Sequence, residues 1–378
     1  MKIYHYLYIL LSIRSLHSLV LGDWDRDSIR TELHSYEVSV WCEGFNEIPW
    51  GMAFLPDGRM LVSDISGFLY LVSKDGEKKD ILKGAPKIFR KGQGGLLDVE
   101  IHPDFSSNKL IYLAYSDPFG RRKGFTSIGR GVLDNNSLKN FETIYRVSAE
   151  HATSKPYHFG SRIVFDDDNF LYFSIGDRGE RNEAQLLSTP NGKIHRLHDD
   201  GRVPSDNPWF EEIGHIQSIW TYGNRNPQGM AIHPITRQIW SVEHGPRGGD
   251  ELNLIKKGIN YGWPVITYGI NYSGTKITDI TEKEGMEQPI WYWTPSIALC
   301  GMVFYEGSKF NKWNNNLLVT SLKFERLHRL VLDGDRKVGE EIIFEAGDRV
   351  RDVEIGPKGF IYVALENPGR IVVLKPYN

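Results

Sequence analysis

One phrase recurs six times along the 378 residues, and a chain that repeats itself in this way has few folds open to it. Its first copy is Trp50-Gly-Met-Ala-Phe-Leu-Pro-Asp-Gly58, leading into Arg59-Met-Leu-Val-Ser63 and then Phe68-Leu-Tyr-Leu-Val72. The phrase returns at Gly95–Asp104, Ser161–Asp167 and Gln228–Pro234, more loosely at Gly301–Tyr305, and finally at Arg351–Pro357. Each unit reads as a strand alternating apolar and polar residues, a Pro/Asp/Gly turn, and a second alternating strand, the pattern of antiparallel neighbours. One unit cannot bury its own faces, so the copies must stack. Units of roughly 45 to 75 residues suit four-strand blades and predict an all-β, six-bladed β-propeller. The extended segment Glu37–Trp41 precedes the first phrase and is expected to close the ring against the last blade. No linker or low-complexity segment divides the chain, so residues 23–378 are read as one propeller domain.

Composition agrees with a turn-rich β protein: there are 38 glycines, and aromatics make up 12%. With 45 Lys+Arg against 48 Asp+Glu, the net charge of -3 gives no electrostatic reason to expect nucleic acid or an anionic membrane as partner. Lys2 followed by the apolar run Ile3–Ile13, with small residues near Gly22, reads as a signal peptide over residues 1–22. It is too short and too broken by Arg14 and His17 to span a bilayer, and the mature chain is expected to be secreted, extracellular or periplasmic. Only Cys42 and Cys300 are present, both in apolar surroundings. Buried free thiols are the default reading, with a single bridge permitted by an oxidising compartment.

In a propeller, loops at one end of the blades converge around the axis. The polar residues flanking the repeated phrases are therefore expected to meet: Gln93, His158, Arg162, Asp177, Arg225, Asn226, Glu251, Tyr261, Tyr272, Trp293, Lys323, Arg349 and Arg351. Several cations converging on one pocket repel one another unless a polyanion lies among them, and a tricarboxylate meets that need. His158 is suited to act as general base on a hydroxyl, with Asp177 holding its tautomer. Glu251 and Tyr261, with the carbonyls of Gly245 and Pro246, offer oxygen-only ligands that select Ca²⁺ over zinc or copper. No glycine fingerprint follows a strand and opens a helix, which argues against NAD or ATP.

Seven motifs together resemble the soluble, pyrroloquinoline-quinone (PQQ)-dependent aldose sugar dehydrogenases, from about Trp50 to the C-terminus. They are Gly92-Gln-Gly-Gly-Leu-Leu97, His158-Phe-Gly-Ser-Arg162, Gly223-Asn-Arg-Asn-Pro-Gln-Gly229, Glu243-His-Gly-Pro-Arg-Gly-Gly-Asp-Glu251, Asn260-Tyr-Gly-Trp-Pro264, Ser321-Leu-Lys323 and Arg349-Val-Arg-Asp352. The resemblance implies a quinone across the axial mouth, His158 as catalytic base and Asp177 as its supporting carboxylate. It assigns quinone contacts to Gln93, Arg225, Asn226, Tyr272, Lys323, Arg349 and Arg351, with Trp293 flanking the ring. Gly245 and Pro246 would hold the cofactor-bound Ca²⁺, and Glu251 and Tyr261 a second one. Where the glucose-specialised branch has an acidic residue before the histidine, this chain has Tyr157, which points to broad aldose specificity.

The expected reaction is oxidation of an aldose at its anomeric carbon to an aldonolactone, His158 taking the hydroxyl proton and Arg225 stabilising the oxyanion. An external electron acceptor completes the cycle, and the protein is expected as monomer or homodimer. Two rival readings share the fold: a Ca²⁺-dependent lactonase, and a non-catalytic secreted propeller that binds a glycan or a protein.

Overall fold

In a computed structural model describing residues 28–377, the strands assemble into six antiparallel sheets. The leader-like segment 1–22 lies outside the described residues. Each repeated phrase opens a blade, as strands Pro49–Phe54, Leu96–Ile101, Ile163–Phe165, Pro227–Ile232, Leu299–Phe304 and Val350–Ile355. These first strands neighbour one another in succession, and the sixth returns to the first, so they form the inner wall of a closed six-bladed propeller. Closure comes from the N-terminal side. Strand Ser35–Glu43, which contains the expected closing segment, pairs antiparallel with Arg370–Pro376 of blade 6. Among the described residues the only α-helix is the single turn Phe105–Asn108.

The core is divided among the six junctions between blades. Leu61, Leu71 and Leu113 pack between blades 1 and 2, for example, and Trp240, Leu252, Leu317 and Val319 between blades 4 and 5. The expected alternation of apolar and polar residues holds only at the rim, in outer strands such as Arg336–Glu345. Second strands such as Met60–Asp64 and Leu317–Ser321 are buried throughout, because neighbouring blades cover both faces of each sheet.

A feature absent from the sequence reading recurs at the inner wall. In five blades the register slips near the start of the first strand, between Pro49/Gly51, Leu96/Val99, Pro227/Gly229, Leu299/Met302 and Val350/Asp352. A bulge bends the strand and re-aims its side chains. Second-strand serines stitch this irregular edge: Ser63 Oγ accepts from Gly51 N at 3.0 Å, Ser174 Oγ from Arg162 N at 3.1 Å, and Ser241 Oγ donates to Gly229 O at 2.9 Å. The glycine of the phrase is a packing requirement. A Cβ on Gly51 would lie 2.7 Å from Asp98 Oδ1, and one on Gly301 2.2 Å from Asp352 Oδ1.

Asp98 and Asp352, at two of these bulges, meet Arg162, which directly precedes the regular inner strand of blade 3. Arg162 Nη1 lies 2.8 Å from Asp98 Oδ1 and its Nη2 3.1 Å from Asp352 Oδ1, linking blades 2, 3 and 6. This corrects the placement of Arg162 among the uncompensated cations of the mouth. Toward the C-terminal ends of the inner strands the same layer borders a cavity of ≈ 240 Å³ lined also by Glu100, Glu306 and Glu354. Burial pushes the Glu100 carboxyl up to about 8 and Glu354 well above its usual range, aided by neighbouring carboxylates. A carboxyl raised on folding keeps its proton while the unfolded chain loses it. The stability Glu100 contributes should therefore fall as pH rises from about 4.5 toward 8, then level off. Both side chains are half-buried, so solvent screening keeps the effect below that of a sealed carboxyl. Glu100→Gln should flatten the fall, as read from urea midpoints at pH 5.5 and 8.5.

Candidate active site

At the opposite end of the axis, the connections into blades 3 and 4 surround a cavity of ≈ 420 Å³ lined by Gln93, Tyr157, His158, Asp177, Arg225, Pro246, Trp263 and Tyr272 among others. His158 sits on the connection into blade 3 with φ at +57°, a left-handed conformation sparsely populated by residues other than glycine. Its main-chain N–H donates to Gln93 Oε1 at 2.8 Å. Its Nδ1 lies 2.6 Å from Asp177 Oδ1, at the end of strand Phe170–Ile175. That carboxylate is held in turn by Gly179 N at 2.7 Å and by the indole N–H of Trp263 at 2.8 Å. Asp177 therefore fixes which imidazole nitrogen carries the proton and leaves Nε2 as the basic one.

The electrostatics favour a neutral base beside an ionised carboxylate. Burial lowers the His158 pKa, Arg225 and Arg178 lower it further, and contact with Asp177 only partly offsets them. Burial opposes ionisation of Asp177, but the imidazole and Arg225 hold its carboxyl below the usual range.

Arg225 lies at the top of the cavity. Its Nη1 donates to the carbonyls of His244 at 2.8 Å and Gly245 at 2.9 Å, and its guanidinium is 5.3 Å from the Trp263 ring. The Nε of Arg225 and the Nδ2 of Asn226 are buried without a partner, while Asn226 Oδ1 accepts from Gly160 N at 3.1 Å. Arg225 lines the cavity, and its orphaned donor fits a ligand rich in carbonyl and carboxylate oxygens; Asn226, an expected contact, lines neither this cavity nor its neighbour.

A neighbouring cavity of ≈ 290 Å³ shares Gln93 and receives Arg349 and Arg351. Both guanidiniums hold one carboxylate, Glu366: Arg349 Nε at 2.6 Å and Arg351 Nε at 2.9 Å. Two cations on one anion leave a surplus positive charge for a ligand. The structure does not bring every expected contact to these cavities. Lys323 is exposed, its ammonium 5.2 Å from the Phe324 ring, and lines neither cavity. Trp293 lies on the outer strand of blade 4, packed against blade 5, with its indole N–H 3.2 Å from Glu340 Oε1.

The expected metal ligands fall into two groups. Pro246 lines the main cavity, with Gly245 beside it. Two neutral carbonyls fall short of the six to eight oxygens Ca²⁺ takes, so a bound ligand would have to supply the rest. Glu251 is half-buried and stands opposite the buried Glu243 in the ladder of blade 4. Asn253 Nδ2 lies 3.1 Å from Glu251 Oε2 and 3.3 Å from Glu243 Oε1, and Asn253 Oδ1 has no partner. Burial and its neighbour's charge raise the Glu251 carboxyl well above its usual range, and burial pushes Glu243 up to about 7. Two close carboxylates and an orphaned amide oxygen fit a hard cation. The Tyr261 phenol does not join them. Its hydroxyl donates to Leu254 O at 2.6 Å and accepts from Lys256 N at 2.9 Å, leaving only its main-chain carbonyl for a metal.

Glu243 and Trp263 were visible in the motifs but carried no role. Glu243 Oε2 accepts the main-chain N–H groups of Arg225 at 2.5 Å and Asn226 at 3.2 Å, shaping the turn that presents both side chains. Trp263 anchors Asp177. Neither role is readable without knowing which loops meet.

A base, its orienting carboxylate and a guanidinium around one cavity are the parts of a hydroxyl-oxidising or hydroxyl-deprotonating enzyme site. The chain belongs to the glucose/sorbosone dehydrogenase family, whose family model matches residues 46–373. It is 42% identical over 338 residues to an aldose sugar dehydrogenase of Escherichia coli, an alignment covering 87% of this chain and 90% of that protein. The apo crystal structure of the soluble Escherichia coli aldose sugar dehydrogenase superposes with a TM-score of 0.86 at 39% identity, covering 90% of this chain and 100% of the other. The PQQ-bound aldose sugar dehydrogenase of Streptomyces coelicolor superposes with a TM-score of 0.75 at 27% identity, covering 90% and 98%.

Proposed function

We propose that this protein oxidises aldose sugars at the anomeric carbon to aldonolactones, using PQQ and Ca²⁺, with an external electron acceptor restoring the oxidised cofactor. The carrying observation is His158 held by Asp177 at 2.6 Å on the wall of a cavity that also contains Arg225. When bound, the quinone supplies the hydride acceptor and Ca²⁺ the Lewis acid.

The chain's own residues do the rest. His158 Nε2 removes the proton from the anomeric hydroxyl, and Asp177 stabilises the imidazolium that results. Arg225 offers its unpaired donor to the ligand's oxygens, with Gln93 and Tyr272 on the same walls and Asn226 next to Arg225 in the chain. Arg349 and Arg351 supply the surplus charge that holds a polyacid. Gly245 and Pro246 would carry the cofactor-bound ion, and the Glu243/Glu251 pair, with the carbonyl of Tyr261, a second one. The PQQ-bound relative of similar fold supports this reading, as does the chemistry of the orphaned Arg225 donor. Lys323 and Trp293, placed outside the cavities, are not needed in this arrangement.

The test is reconstitution. Purified protein given PQQ and Ca²⁺ should reduce a redox dye with several aldoses, and chelation of calcium before loading should abolish quinone uptake. Dye reduction by no aldose, with the quinone demonstrably bound, would overturn the assignment. Lactone hydrolysis without the quinone would favour the hydrolase.

A further inference from the structure

Arg178 follows Asp177 in the chain, yet nothing in the proposed reaction uses it. Its side chain is only 1% exposed. Its hydrogen bonds go to main-chain carbonyls: Nε to Tyr157 at 3.1 Å, Nη2 to Lys155 at 2.8 Å, and a long Nη1 contact to Gly124 at 3.4 Å. The guanidinium also lies 3.6 Å from the Phe159 ring centroid. Burying a guanidinium without a carboxylate of its own is costly, and an apolar side chain of similar volume would fill the space. What the arginine adds is a grip on both neighbours of His158, Tyr157 by its carbonyl and Phe159 by its ring. The segment it grips needs holding, since His158 adopts a positive φ of +57°.

We propose that Arg178 is a positioning residue for this reaction, clamping segment 155–159 so that the His158 imidazole stays seated on Asp177 and open to the cavity. The proposal rests on His158 acting as the base. Asp177 and Arg178 thus form one device, the first holding the imidazole and the second its backbone. The clamp also has an electrostatic consequence. The charged or titratable groups around the imidazole are Asp177 and Arg178 from blade 3, Arg225 and His244 from the blade 4 side, and Lys155, Glu180 and Arg181 toward the rim. Arg178 opposes formation of the imidazolium and favours an ionised Asp177, so it preserves the basic form of His158 at lower pH.

Two substitutions separate geometry from charge. Arg178→Lys keeps a cation but cannot span carbonyls and ring together, whereas Arg178→Met fills space without charge or donors. In the PQQ- and Ca²⁺-loaded protein, Arg178→Lys should lower kcat about tenfold with little change in KM, a loss of roughly 1.4 kcal/mol in transition-state stabilisation. The acid limb of its pH profile should stay in place. Arg178→Met should lower kcat further and move that limb upward by about half a pH unit or more.

An independent readout uses apo protein, with the ¹⁵N shifts of the His158 imidazole followed against pH. The midpoint should rise in Arg178→Met and hold in Arg178→Lys. A folded Arg178→Met with wild-type kcat and midpoint would overturn the proposal. So would a lowered Tm with kcat per folded molecule, acid limb and midpoint all unmoved, which describes a merely structural arginine. Should Arg178→Met not fold, a wild-type kcat in Arg178→Lys would be equally decisive. If the wild-type protein oxidises no aldose, the apo titration still reads the clamp, so the two ideas fail separately.

Discussion

His158→Ala should lower kcat for aldose oxidation by about 10²–10⁴-fold while leaving the propeller and its quinone binding in place. The imidazole takes part in no blade ladder, and its side-chain partner Asp177 keeps the Gly179 and Trp263 bonds when the ring is removed. The main-chain bond from His158 N to Gln93 also survives the substitution. What disappears is the only imidazole lining the main cavity among the described residues. The loss should therefore fall on kcat, with the quinone's absorbance on binding unchanged. Wild-type turnover in the loaded variant would remove the proposed base. The pH profile gives a companion check. Because burial and two guanidiniums lower the pKa of His158, the acid limb should lie below the 6.5 of a free imidazole.

Arg162→Met should destabilise the folded protein by about 3–5 kcal/mol, the largest stability effect expected of a single charge removal here. Its guanidinium bridges Asp98 and Asp352, which come from the inner strands of blades 2 and 6. Without it, two buried carboxylates lose the guanidinium that lies between them. Each also organises backbone: Asp98 Oδ2 accepts from Ile163 N at 2.7 Å and Asp352 Oδ2 from Met52 N at 3.0 Å. The bridge therefore ties four blades at one level of the hub. Urea denaturation at pH 7 measures the effect. Adding Asp98→Asn and Asp352→Asn to the Arg162 variant should recover much of the loss, because it is the unpaired charges that are costly. A midpoint unchanged in Arg162→Met would show that the hub does not depend on this bridge.

These two arginine and histidine positions illustrate how far a sequence of this kind can be read. His158 and Arg162 stand four residues apart in one motif and both looked like site residues. Only the path of the chain into the inner strand of blade 3 separates them. His158 precedes the strand and faces the mouth, while Arg162, donating its N–H to Ser174 Oγ, enters the hub below it. Lys323 and Trp293 teach the same lesson from the other side. Each follows a repeated phrase or precedes one, yet one is turned to solvent and the other into the seam between blades 4 and 5. The two cysteines end as buried free thiols, Cys42 in the cluster between blades 6 and 1 and Cys300 beside Arg351 at the hub.

What the sequence determined by itself was the number of blades, the strand that opens each, the strand that closes the ring, and the residues of the His158, Asp177 and Arg225 cluster. Those follow from local patterns: a repeated phrase, turn chemistry at fixed offsets, and polar residues confined to loops. The tertiary structure alone decided which of the gathered charges face a ligand and which face one another. That choice depends on bulges a residue or two long and on contacts between positions 64 to 300 residues apart, such as Arg162 with Asp98 and Met52 with Asp352. A charge is a ligand contact or a structural pair according to what lies within about 4 Å of it, and distances of that kind are set only when the ring closes.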